Sequence, residues 1–461
     1  KNSMSFGVVS RLMNVDSAEA EKCLRHELRR LSERLLKPNI DSFLEGRKFA
    51  DGTLGDAEGF PWQLERARRD KQLMIIGNHA LAFGFMAAGG RFFTGYPITP
   101  ASEILEWLQR NLPDFGGIAM QAEDELAAIN IALGAAMTGT RTMTATSSPG
   151  FSLMLEGISH AGSAEIPLVI VNSQRAGPST GMPTKPEQSD LDMILYGGNG
   201  EFPRVVLAPG DPSDCFTLAV EANGLAQELQ GPVIIALDQA VAQDANTVPP
   251  FDLESVEVAS GARLSDEDLA GMKLYRRYEQ SDSGVSPWTI PGTPGGMSLV
   301  TGNERNEWGL VTTEPGKRRE MMDKRQAKIH HVTARLPKGK QGGDTDAVIG
   351  LLGYGMQAGV IAEACERLNA LGHPVRYLQP RTLWPVLDET AEFIHGCERV
   401  YVVEHNSEGQ LARALDGVHA FGNLPNVLRY DGVPHRCADL VDHIIGQEAG
   451  VADADGLGHV A

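Results

Sequence analysis

The chain has 461 residues, of which 42% are hydrophobic and 22% are charged, and its formal net charge is −19. A protein that binds duplex nucleic acid, or a membrane surface through a polybasic patch, needs a basic face, so this acidity argues against both kinds of partner. The length predicts roughly two to four domains.

The cysteines and the apolar segments narrow the class of protein further. The five cysteines are scattered without a CxxC pair, so we expect neither a structural zinc site nor an iron–sulfur cluster in this chain, and no metal site. So few thiols in a long chain fit a reducing compartment, which predicts a cytoplasmic protein. The nearest candidate for a membrane span, residues 73–89, is broken by Asn78, His79 and three glycines. Because the sequence begins with Lys1 rather than Met, we expect a fragment or a processed chain.

Residues 1–46 are predicted to be helical. A first helix is expected over residues 5–13, and Asp16 begins a pattern like a capping box ahead of a second helix over residues 18–36. A leucine stripe at helical spacing on the second helix predicts a face that packs on another domain. The stripe consists of Leu24, Leu28, Leu31 and Leu35.

A first α/β domain is predicted over residues 73–245, after a charged, glycine-containing linker over residues 47–72. It begins with a short apolar helix over residues 80–88, and strands and helices then alternate. This alternation predicts a mostly parallel sheet that is covered by helices on both faces. The predicted strands span residues 91–95, 117–121, 141–146, 167–172, 203–207 and 232–237.

Two further regions complete the chain. Residues 246–343 are rich in proline, glycine and charge with weak periodicity, which predicts an irregular segment between domains. Within it, residues 286–296 cannot form a helix because their prolines lack the backbone donor. Residues 344–461 read as a second α/β domain, with strands at 347–353, 375–378 and 399–404 and a helix over 356–371.

Three polar loops stand where strands of the first domain are predicted to end. They span Gly95 to Pro100, Gln121 to Glu125, and Gln174 to Gly181, and the second leads into a helix with the apolar face Leu126, Ile129, Leu133 and Met137. In an open α/β sheet, ligands bind outside the carboxyl ends of the strands. These loops are therefore predicted to line the functional site.

Several motifs occur together in a fixed order. They are Gly77-Asn78, Gly95-Tyr-Pro-Ile-Thr-Pro-Ala-Ser-Glu103, Glu123-Asp-Glu125 with Gly134-Ala135, Gln174-Arg-Ala-Gly-Pro-Ser-Thr-Gly-Met-Pro-Thr-Lys185, Leu378-Gln-Pro-Arg-Thr-Leu-Trp-Pro385 and Glu404-His-Asn-Ser-Glu-Gly-Gln-Leu411. In this order they resemble the alpha subunit of the thiamine-diphosphate-dependent 2-oxoacid:ferredoxin oxidoreductase family. The Gln-Arg-x-Gly-Pro-Ser-Thr-Gly motif is most like the 2-oxoglutarate branch.

The resemblance implies a domain organisation. Residues 73–245 would form a thiamine-diphosphate-binding domain of the pyrimidine-binding type, and residues 344–461 a smaller, transketolase C-terminal-like domain. Residues 246–343 resemble the family's inter-domain segment. Residues 1–46 look like the tail of a gamma domain, which some members carry fused in front of alpha.

The resemblance also implies roles for residues in the three loops. Glu125 would be the carboxylate that hydrogen-bonds the aminopyrimidine ring of the cofactor, with Pro97 and Ile98 also at the cofactor. Arg175 would bind the carboxylate of a 2-oxo acid, which a planar guanidinium can do bidentately, and the Thr99 hydroxyl would donate to the substrate. Plainer alternatives are an acid favoured by a helix dipole at Glu125, a surface arginine at Arg175, and a turn-shaping threonine at Thr99.

Further candidates depend on the substrate. The distal carboxylate of 2-oxoglutarate needs a second set of donors, for which the candidates are Ser179, Thr180, Lys185 and His79. His79 departs from the glutamate usual in the family and could equally be a packed or surface histidine. Gly353-Tyr-Gly355 suggests a phosphate loop but lacks the full GxGxxG pattern. Glu404 and Asn406, at the end of a predicted strand, are expected to shape a domain or subunit interface.

What the sequence lacks points to a partner chain. It contains no Gly-Asp-Gly motif of the kind that holds Mg²⁺ and the diphosphate in this family, and no cluster cysteines. By resemblance, Mg²⁺ and a [4Fe-4S] cluster belong to a beta subunit that shares the thiamine diphosphate, in a heterotetramer of two alpha–beta pairs. The implied reaction converts 2-oxoglutarate and CoA to succinyl-CoA and CO₂ and passes electrons to ferredoxin.

Three alternatives remain open from the sequence. The same family could act on pyruvate or a branched-chain 2-oxo acid. The chain could instead be a non-oxidative thiamine enzyme of the transketolase type, or a scaffold subunit without catalytic residues.

Overall fold

The computed structural model describes residues 1–53, 71–422 and 424–449, and the chain divides into two compact units, residues 1–71 and 72–461. In its described part, the first unit contains α1 (Asn2–Leu12), α2 (Ser17–Glu27) and α3 (Glu33–Thr53). Two glycines let α1 and α3 pack closely, because a Cβ on Gly7 or Gly46 would lie 2.1 Å from a backbone oxygen of the other helix. The carboxylate of Asp16 caps α2 as predicted, accepting from the amides of Ala18 and Glu19.

The prediction of one continuous helix over residues 18–36 is wrong. The chain leaves the helical conformation after Glu27, and α3 begins at Glu33 and continues through Thr53, into the range predicted as linker. Because α2 and α3 are separate, the leucine stripe is not one face, and Leu31 and Leu35 are exposed. The buried residues of α3 are instead Leu36, Ile40, Phe43, Gly46 and Ala50. Residues 54–70 of the predicted linker lie outside the described residues.

The second unit is an α/β structure. Its strands are β1 (Leu73–Ile76), β2 (Phe92–Gly95), β3 (Ile118–Gln121), β4 (Thr142–Ser147), β5 (Leu168–Gln174), β6 (Val205–Leu207), β7 (Pro232–Asp238), β8 (Ala245–Val248), β9 (Lys340–Gly343), β10 (Ile349–Leu352), β11 (Val375–Gln379), β12 (Thr382–Trp384), β13 (Arg399–Glu404) and β14 (Asn426–Leu428). Its helices are α4 (Gly77–Ala87), α5 (Ser102–Asn111), α6 (Glu125–Met137), α7 (Ser148–Ala164), α8 (Leu191–Tyr196), α9 (Pro212–Leu229), α10 (Gln239–Gln243), α11 (Asp266–Ala270), α12 (Pro315–Thr333), α13 (Gln357–Ala370), α14 (Asp388–His395), α15 (Gln410–His419) and α16 (Cys437–Glu448), with a 3₁₀ helix over Leu112–Phe115.

The main sheet confirms the predicted, mostly parallel α/β architecture of this part of the chain. Its spatial order is β12-β6-β7-β5-β4-β2-β3, and all pairs are parallel except β12 against β6. The predicted strands match β2 to β7. One hydrophobic cluster on this sheet includes residues of α4, α5 and α9, and a second includes residues of α6, α7 and α8. Helices on both faces explain why β4, β5 and β7 are buried along their whole length.

A second, smaller sheet is formed by strands from the C-terminal part of the chain, as the fold class predicts. Its order is β14-β13-β10-β11-β9, with β9 the antiparallel edge strand. Residues of α13 and α16 pack in one cluster, whereas residues of α14 and α15 join the cluster formed by α6, α7 and α8. The two domains therefore share a hydrophobic core, and β12 from the second domain completes the main sheet of the first.

The inter-domain segment is irregular over residues 286–296, as predicted, but also contains α12, a helix of 19 residues. The sequence did not predict this helix because its charged residues leave no apolar stripe at helical spacing. Two of these charged residues, Lys324 and Lys328, have fully buried side chains. The apolar face predicted for the helix after Glu125 is wrong at one residue, because Leu126 of α6 is 47% exposed. Among the described residues, no helix is long and apolar enough to cross a membrane, and no three His, Cys, Asp or Glu side chains are grouped to hold a metal ion.

Candidate active site at the carboxyl ends of four strands

The loops after β2, β3, β4 and β5 meet at one edge of the main sheet, because these strands are parallel neighbours. The chain continues from β2 to β3 on one side of β2 and then returns to β4 on the other side. Such a reversal of strand order opens a crevice at the carboxyl edge. The loops carry Thr99, Glu125, Ser148 and Arg175, so three of the residues predicted from the sequence are brought to this crevice.

Arg175 follows β5 and is 5% exposed. Its Nη1 donates to the backbone carbonyl of Thr99 at 2.7 Å, which connects the loops after β5 and β2. The Nε is buried without a hydrogen-bond partner, and within the described ranges Nη2 makes no hydrogen bond. The Nε–Nη2 edge of the guanidinium therefore makes no hydrogen bond with the described residues, and a carboxylate is a group that can bind such an edge bidentately.

The charge of Arg175 is not neutralised by an ion pair. Burial lowers its pKa, whereas the carboxylates of Asp190 and Glu125 raise it. In the part of the chain that the structure describes, neither carboxylate lies within ion-pair distance of the guanidinium. The crevice therefore presents a buried cation whose free edge favours an anionic ligand.

Glu125 is the first residue of α6, and its side chain is buried, 6% exposed. The neighbouring Asp124 caps the helix by accepting from the Ala127 amide, so Glu125 is not needed for that purpose. No hydrogen bond to the Glu125 carboxylate is present among the described residues. Gly150 makes room for this carboxylate, because a Cβ there would lie 2.4 Å from Oε1 of Glu125. A buried carboxylate without a partner is suited to bind a donor on a ligand.

The loop after Arg175 carries the candidates for a distal carboxylate. It folds back on itself, since the Ala176 amide donates to the Lys185 carbonyl at 3.0 Å. Ser179, Thr180 and Lys185 are all exposed, and Ser179 lines a cavity of about 530 Å³. Lys185 packs on the second domain, because a Cβ on Gly432 would lie 3.1 Å from the Lys185 Cβ.

Comparisons with known proteins identify the family of this chain. The family described as pyruvate flavodoxin/ferredoxin oxidoreductase, thiamine diphosphate-binding, matches residues 84–323. The 2-oxoglutarate synthase subunit KorA of Methanothermobacter marburgensis is 33% identical over 385 residues, which cover 82% of this chain and 100% of that one. This chain belongs to the 2-oxoacid:ferredoxin oxidoreductase family.

Two further similarities place it among the alpha subunits of the family. Subunit alpha of 2-oxoacid:ferredoxin oxidoreductase 2 from Aeropyrum pernix is 34% identical over 423 residues, covering 87% of this chain. This chain spans 65% of the length of that relative. The solved structure of 2-oxoglutarate:ferredoxin oxidoreductase from Magnetococcus marinus, with 2-oxoglutarate, coenzyme A and succinyl-CoA bound, matches with a TM-score of 0.90 at 32% identity, over 97% of this chain and 77% of that one.

The remaining predicted residues of this alpha subunit have different surroundings. Pro97 is exposed and Ile98 is half-buried in the loop after β2. His79 lies on α4, where burial lowers its pKa and the nearby Glu103 raises it. The side chain of Asn78, next to His79, donates to the Pro100 carbonyl at 2.7 Å and so connects α4 to the loop after β2.

Gln188 joins the two α/β domains. Its side-chain Nε2 donates to the Tyr354 carbonyl at 3.0 Å. Its backbone amide donates to the His405 carbonyl at 2.7 Å, and its backbone carbonyl accepts from Asn406 Nδ2 at 3.3 Å. The contact of Asn406 agrees with the interface predicted for it. Glu404 instead holds the start of α15, accepting from the Leu411 and Ala412 amides.

The phosphate loop suggested by Gly353-Tyr-Gly355 is not formed. The amide of Met356 donates to the Asp238 carboxylate at 2.6 Å, and a Cβ on Gly355 would lie 2.2 Å from the same oxygen. Burial raises the pKa of Asp238 to about 6. An acidic side chain of the protein therefore occupies the position that a phosphate would need.

The sequence reasoning missed Ser148, Gly150, Asn172 and Asp190. Ser148 accepts from the Arg175 amide at 3.2 Å, and Asp190 accepts from Asn172 Nδ2 at 3.0 Å. A signal for two of them was present, because Ser148 and Gly150 stand at the same kind of strand-to-helix junction as Glu125. Asp190 had no such signal, since it reaches the site from a later segment.

Proposed function

We propose that this chain is the alpha subunit of a 2-oxoglutarate:ferredoxin oxidoreductase. The reaction is oxidative decarboxylation of 2-oxoglutarate with CoA, which yields succinyl-CoA and CO₂ and passes two electrons, one at a time, to ferredoxin. The observation that carries this proposal is the free Nε–Nη2 edge of buried Arg175 in the crevice that also holds the unpartnered Glu125 carboxylate.

Thiamine diphosphate fits the residues of the crevice. When bound, it supplies the electron sink for decarboxylation. The Glu125 carboxylate would hydrogen-bond the aminopyrimidine ring and hold a proton there, and the absence of competing partners among the described residues leaves it able to do so. Gly150 keeps the space beside Glu125 open, and Pro97 and Ile98 would contact the cofactor from the loop after β2.

Arg175 would bind the carboxylate next to the keto group of the substrate, and Thr99 would donate its hydroxyl nearby. The Arg175 bond to the Thr99 carbonyl holds the two residues side by side. Lys185, with Ser179 and Thr180, would receive the distal carboxylate, because this loop is the one that continues directly from Arg175. The names of relatives in Methanothermobacter and Magnetococcus favour 2-oxoglutarate over other 2-oxo acids.

The active enzyme would require a beta subunit. This subunit would hold the diphosphate through Mg²⁺ and carry the [4Fe-4S] cluster, and two alpha–beta pairs would form a heterotetramer. The domain assignment made from the sequence is part of the proposal. In it, residues 1–46 are a gamma-domain tail and 47–72 a linker, into which α3 extends as far as Thr53. Residues 73–245 are the pyrimidine-binding domain, 246–343 the inter-domain segment and 344–461 the transketolase C-terminal-like domain.

The experiment is CoA-dependent reduction of a viologen dye by this chain purified with its beta subunit. Three substrates are compared, 2-oxoglutarate, pyruvate and 2-oxoisovalerate, and the chain alone is the control. We expect turnover only in the complex and the highest kcat/KM with 2-oxoglutarate. Faster turnover of pyruvate would overturn the substrate but keep the family, and a lack of CoA-dependent reduction with all three would overturn the oxidoreductase.

A further inference from the structure

A cavity of about 500 Å³ lies at the edge of the main sheet that is opposite to the crevice. One wall is formed where α6 and α7 end and β5 begins, by Met137, Ala164, Ile166 and Pro167. The other wall is part of the inter-domain segment, between residues 288 and 300. Because the crevice is at the carboxyl end of β5, the seven residues of this strand, about 20 Å, separate the cavity from the crevice.

Two buried side chains of this cavity keep a donor without a partner. Arg277 is 5% exposed, and its Nη2 donates to the backbone carbonyl of Glu165 at 2.8 Å. Trp288 is 4% exposed, and its backbone amide donates to the Ala262 carbonyl at 3.0 Å. Nη1 of Arg277 and Nε1 of Trp288 have no hydrogen-bond partner among the described residues. A buried donor without a partner is unfavourable, so both groups favour an acceptor on a ligand in the cavity.

The charges around the cavity favour an anionic acceptor. Glu165 also lines the cavity, but its carboxylate accepts from Lys324 at 2.7 Å and from Lys328 at 2.5 Å. It provides Arg277 only with its backbone carbonyl, and within the described ranges Arg277 forms no ion pair. Three buried cationic side chains therefore act on one carboxylate, and a second anion would balance the excess positive charge.

Apart from these donors, the wall of the cavity is largely apolar. Its apolar side chains are Met137, Ile166, Pro167, Pro291, Met297 and Val300. The hydroxyls of Thr289 and Thr293 also line the cavity, but each donates to a carbonyl of its own loop. Met297 is exposed, so the cavity reaches the surface. Cavities of this size, with an apolar wall and a few polar groups, are typical of sites for small organic molecules.

We propose that this cavity binds a small carboxylate that carries an apolar chain or ring. Its carboxylate accepts from Nη1 of Arg277 and Nε1 of Trp288, and its apolar part lies against the loop over residues 288–300. The site is independent of the proposed function, because none of its residues belongs to the crevice.

The first test is calorimetric titration of the full chain with three probes. 3-phenylpropionate has both the carboxylate and an apolar ring, 3-phenylpropanol lacks the charge, and acetate lacks the ring. We expect 3-phenylpropionate to bind at least about tenfold more tightly than either of the others, because it alone uses both the cationic donor and the apolar wall. Equal affinities of the three probes, or no binding of 3-phenylpropionate, would overturn the inference.

Variants of the two donors test which groups bind the carboxylate. We expect Arg277→Gln to weaken the binding of 3-phenylpropionate about 10- to 100-fold, and Trp288→Phe about 2- to 10-fold, since a charge-assisted hydrogen bond contributes more than a neutral one. Arg276→Gln is the matched control, because the neighbouring Arg276 is partly exposed and pairs with Glu279. If Arg277→Gln does not fold, Trp288→Phe decides, since it removes the donor and keeps an aromatic ring. Wild-type affinity of Trp288→Phe would overturn the assignment of the donors.

A third measurement locates the ligand directly. In crystals soaked with the para-bromo derivative of 3-phenylpropionate, we expect the anomalous signal of the bromine to lie in the cavity beside Trp288. This readout and the titrations measure binding without turnover, so they decide the inference even if the complex converted no 2-oxo acid. A bromine signal found only in the crevice, or only elsewhere on the surface, would overturn it.

Discussion

Buried charged side chains lie at both ends of α7, but they are paired at only one of these two ends. At its start, Ser148 accepts from the amide of Arg175, whose buried Nε has no hydrogen-bond partner, and Gly150 lies beside the carboxylate of buried Glu125. Beyond its end, Glu165 accepts from Lys324 at 2.8 and 2.7 Å and from Lys328 at 2.5 Å, and all three side chains are fully buried.

This difference separates a structural role from a ligand-binding role. The cations around Glu165 come from α12, so their pairing attaches the inter-domain segment to the main domain. At the start of α7 the charges come from adjacent loops of one sheet and are not paired with one another. Burial of charge alone therefore does not identify a site, whereas burial combined with unused hydrogen-bonding capacity does.

The largest expected effect is that of Glu125→Ala on turnover. Loss of a group that places a proton in the transition state typically costs about 10²- to 10⁴-fold, so we expect a loss in kcat of that order. The unfolding free energy should hardly change, because no hydrogen bond of the described residues is removed. Glu123→Ala, on the exposed residue two positions earlier, is the control for dye reduction. Full activity of Glu125→Ala would support the scaffold alternative.

The opposite outcome is expected for Lys324→Met at the other end of α7. The substitution removes the two hydrogen bonds that Lys324 donates to the buried Glu165 carboxylate, while the bond from Lys328 remains. The loss of these buried charge-assisted bonds is expected to cost about 3–5 kcal/mol of unfolding free energy. The kcat of the protein that remains folded should stay at the wild-type value. The control is Lys317→Met on the same helix, because Lys317 pairs with Glu320 at the exposed surface, where an ion pair contributes little to stability. Equal unfolding free energies of Lys324→Met and Lys317→Met would show that the buried pairing around Glu165 does not stabilise the fold.

A smaller effect is expected for Arg175→Lys. An ammonium keeps the charge but cannot present two parallel N–H groups to a carboxylate. The loss of one charge-assisted hydrogen bond, about 1.5–3 kcal/mol, corresponds to an increase of about 10- to 100-fold in the KM for the 2-oxo acid. Steady-state kinetics of the complex measure this. An unchanged KM would show that the free edge of Arg175 does not bind the substrate.

Sequence reasoning located the crevice because strand-to-helix junctions are visible locally. Strands β4, β5 and β7 begin as apolar or β-branched runs and end in polar residues, and these polar ends fall at one edge of the parallel sheet. Glu125, Arg175 and Thr99 were found in this way. The family resemblance then supplied roles that spacing alone does not provide.

The residues that were missed depend on tertiary contacts. Lys324 and Lys328 look like surface charges in the sequence, because their partner Glu165 is about 160 positions away. Asp190 resembles an ordinary helix cap, and its contact with Asn172 depends on the path of the chain after the Lys185 loop. The break between α2 and α3 was missed because a leucine stripe continues across it.

A pH dependence of the unfolding free energy is expected at the end of α7 where Glu165 is paired. Burial lowers the pKa of Lys328 to about 7, with Glu165 opposing the shift, whereas an unfolded lysine titrates near 10.4. Between these values the unfolded chain binds more protons than the folded one, so raising the pH favours folding. The wild type should therefore gain unfolding free energy relative to Lys328→Met as the pH rises from about 7 to about 10. Urea unfolding of both proteins across this range measures the difference. If the difference in unfolding free energy between the two proteins stays constant or shrinks as the pH rises, Lys328 remains protonated in the folded protein.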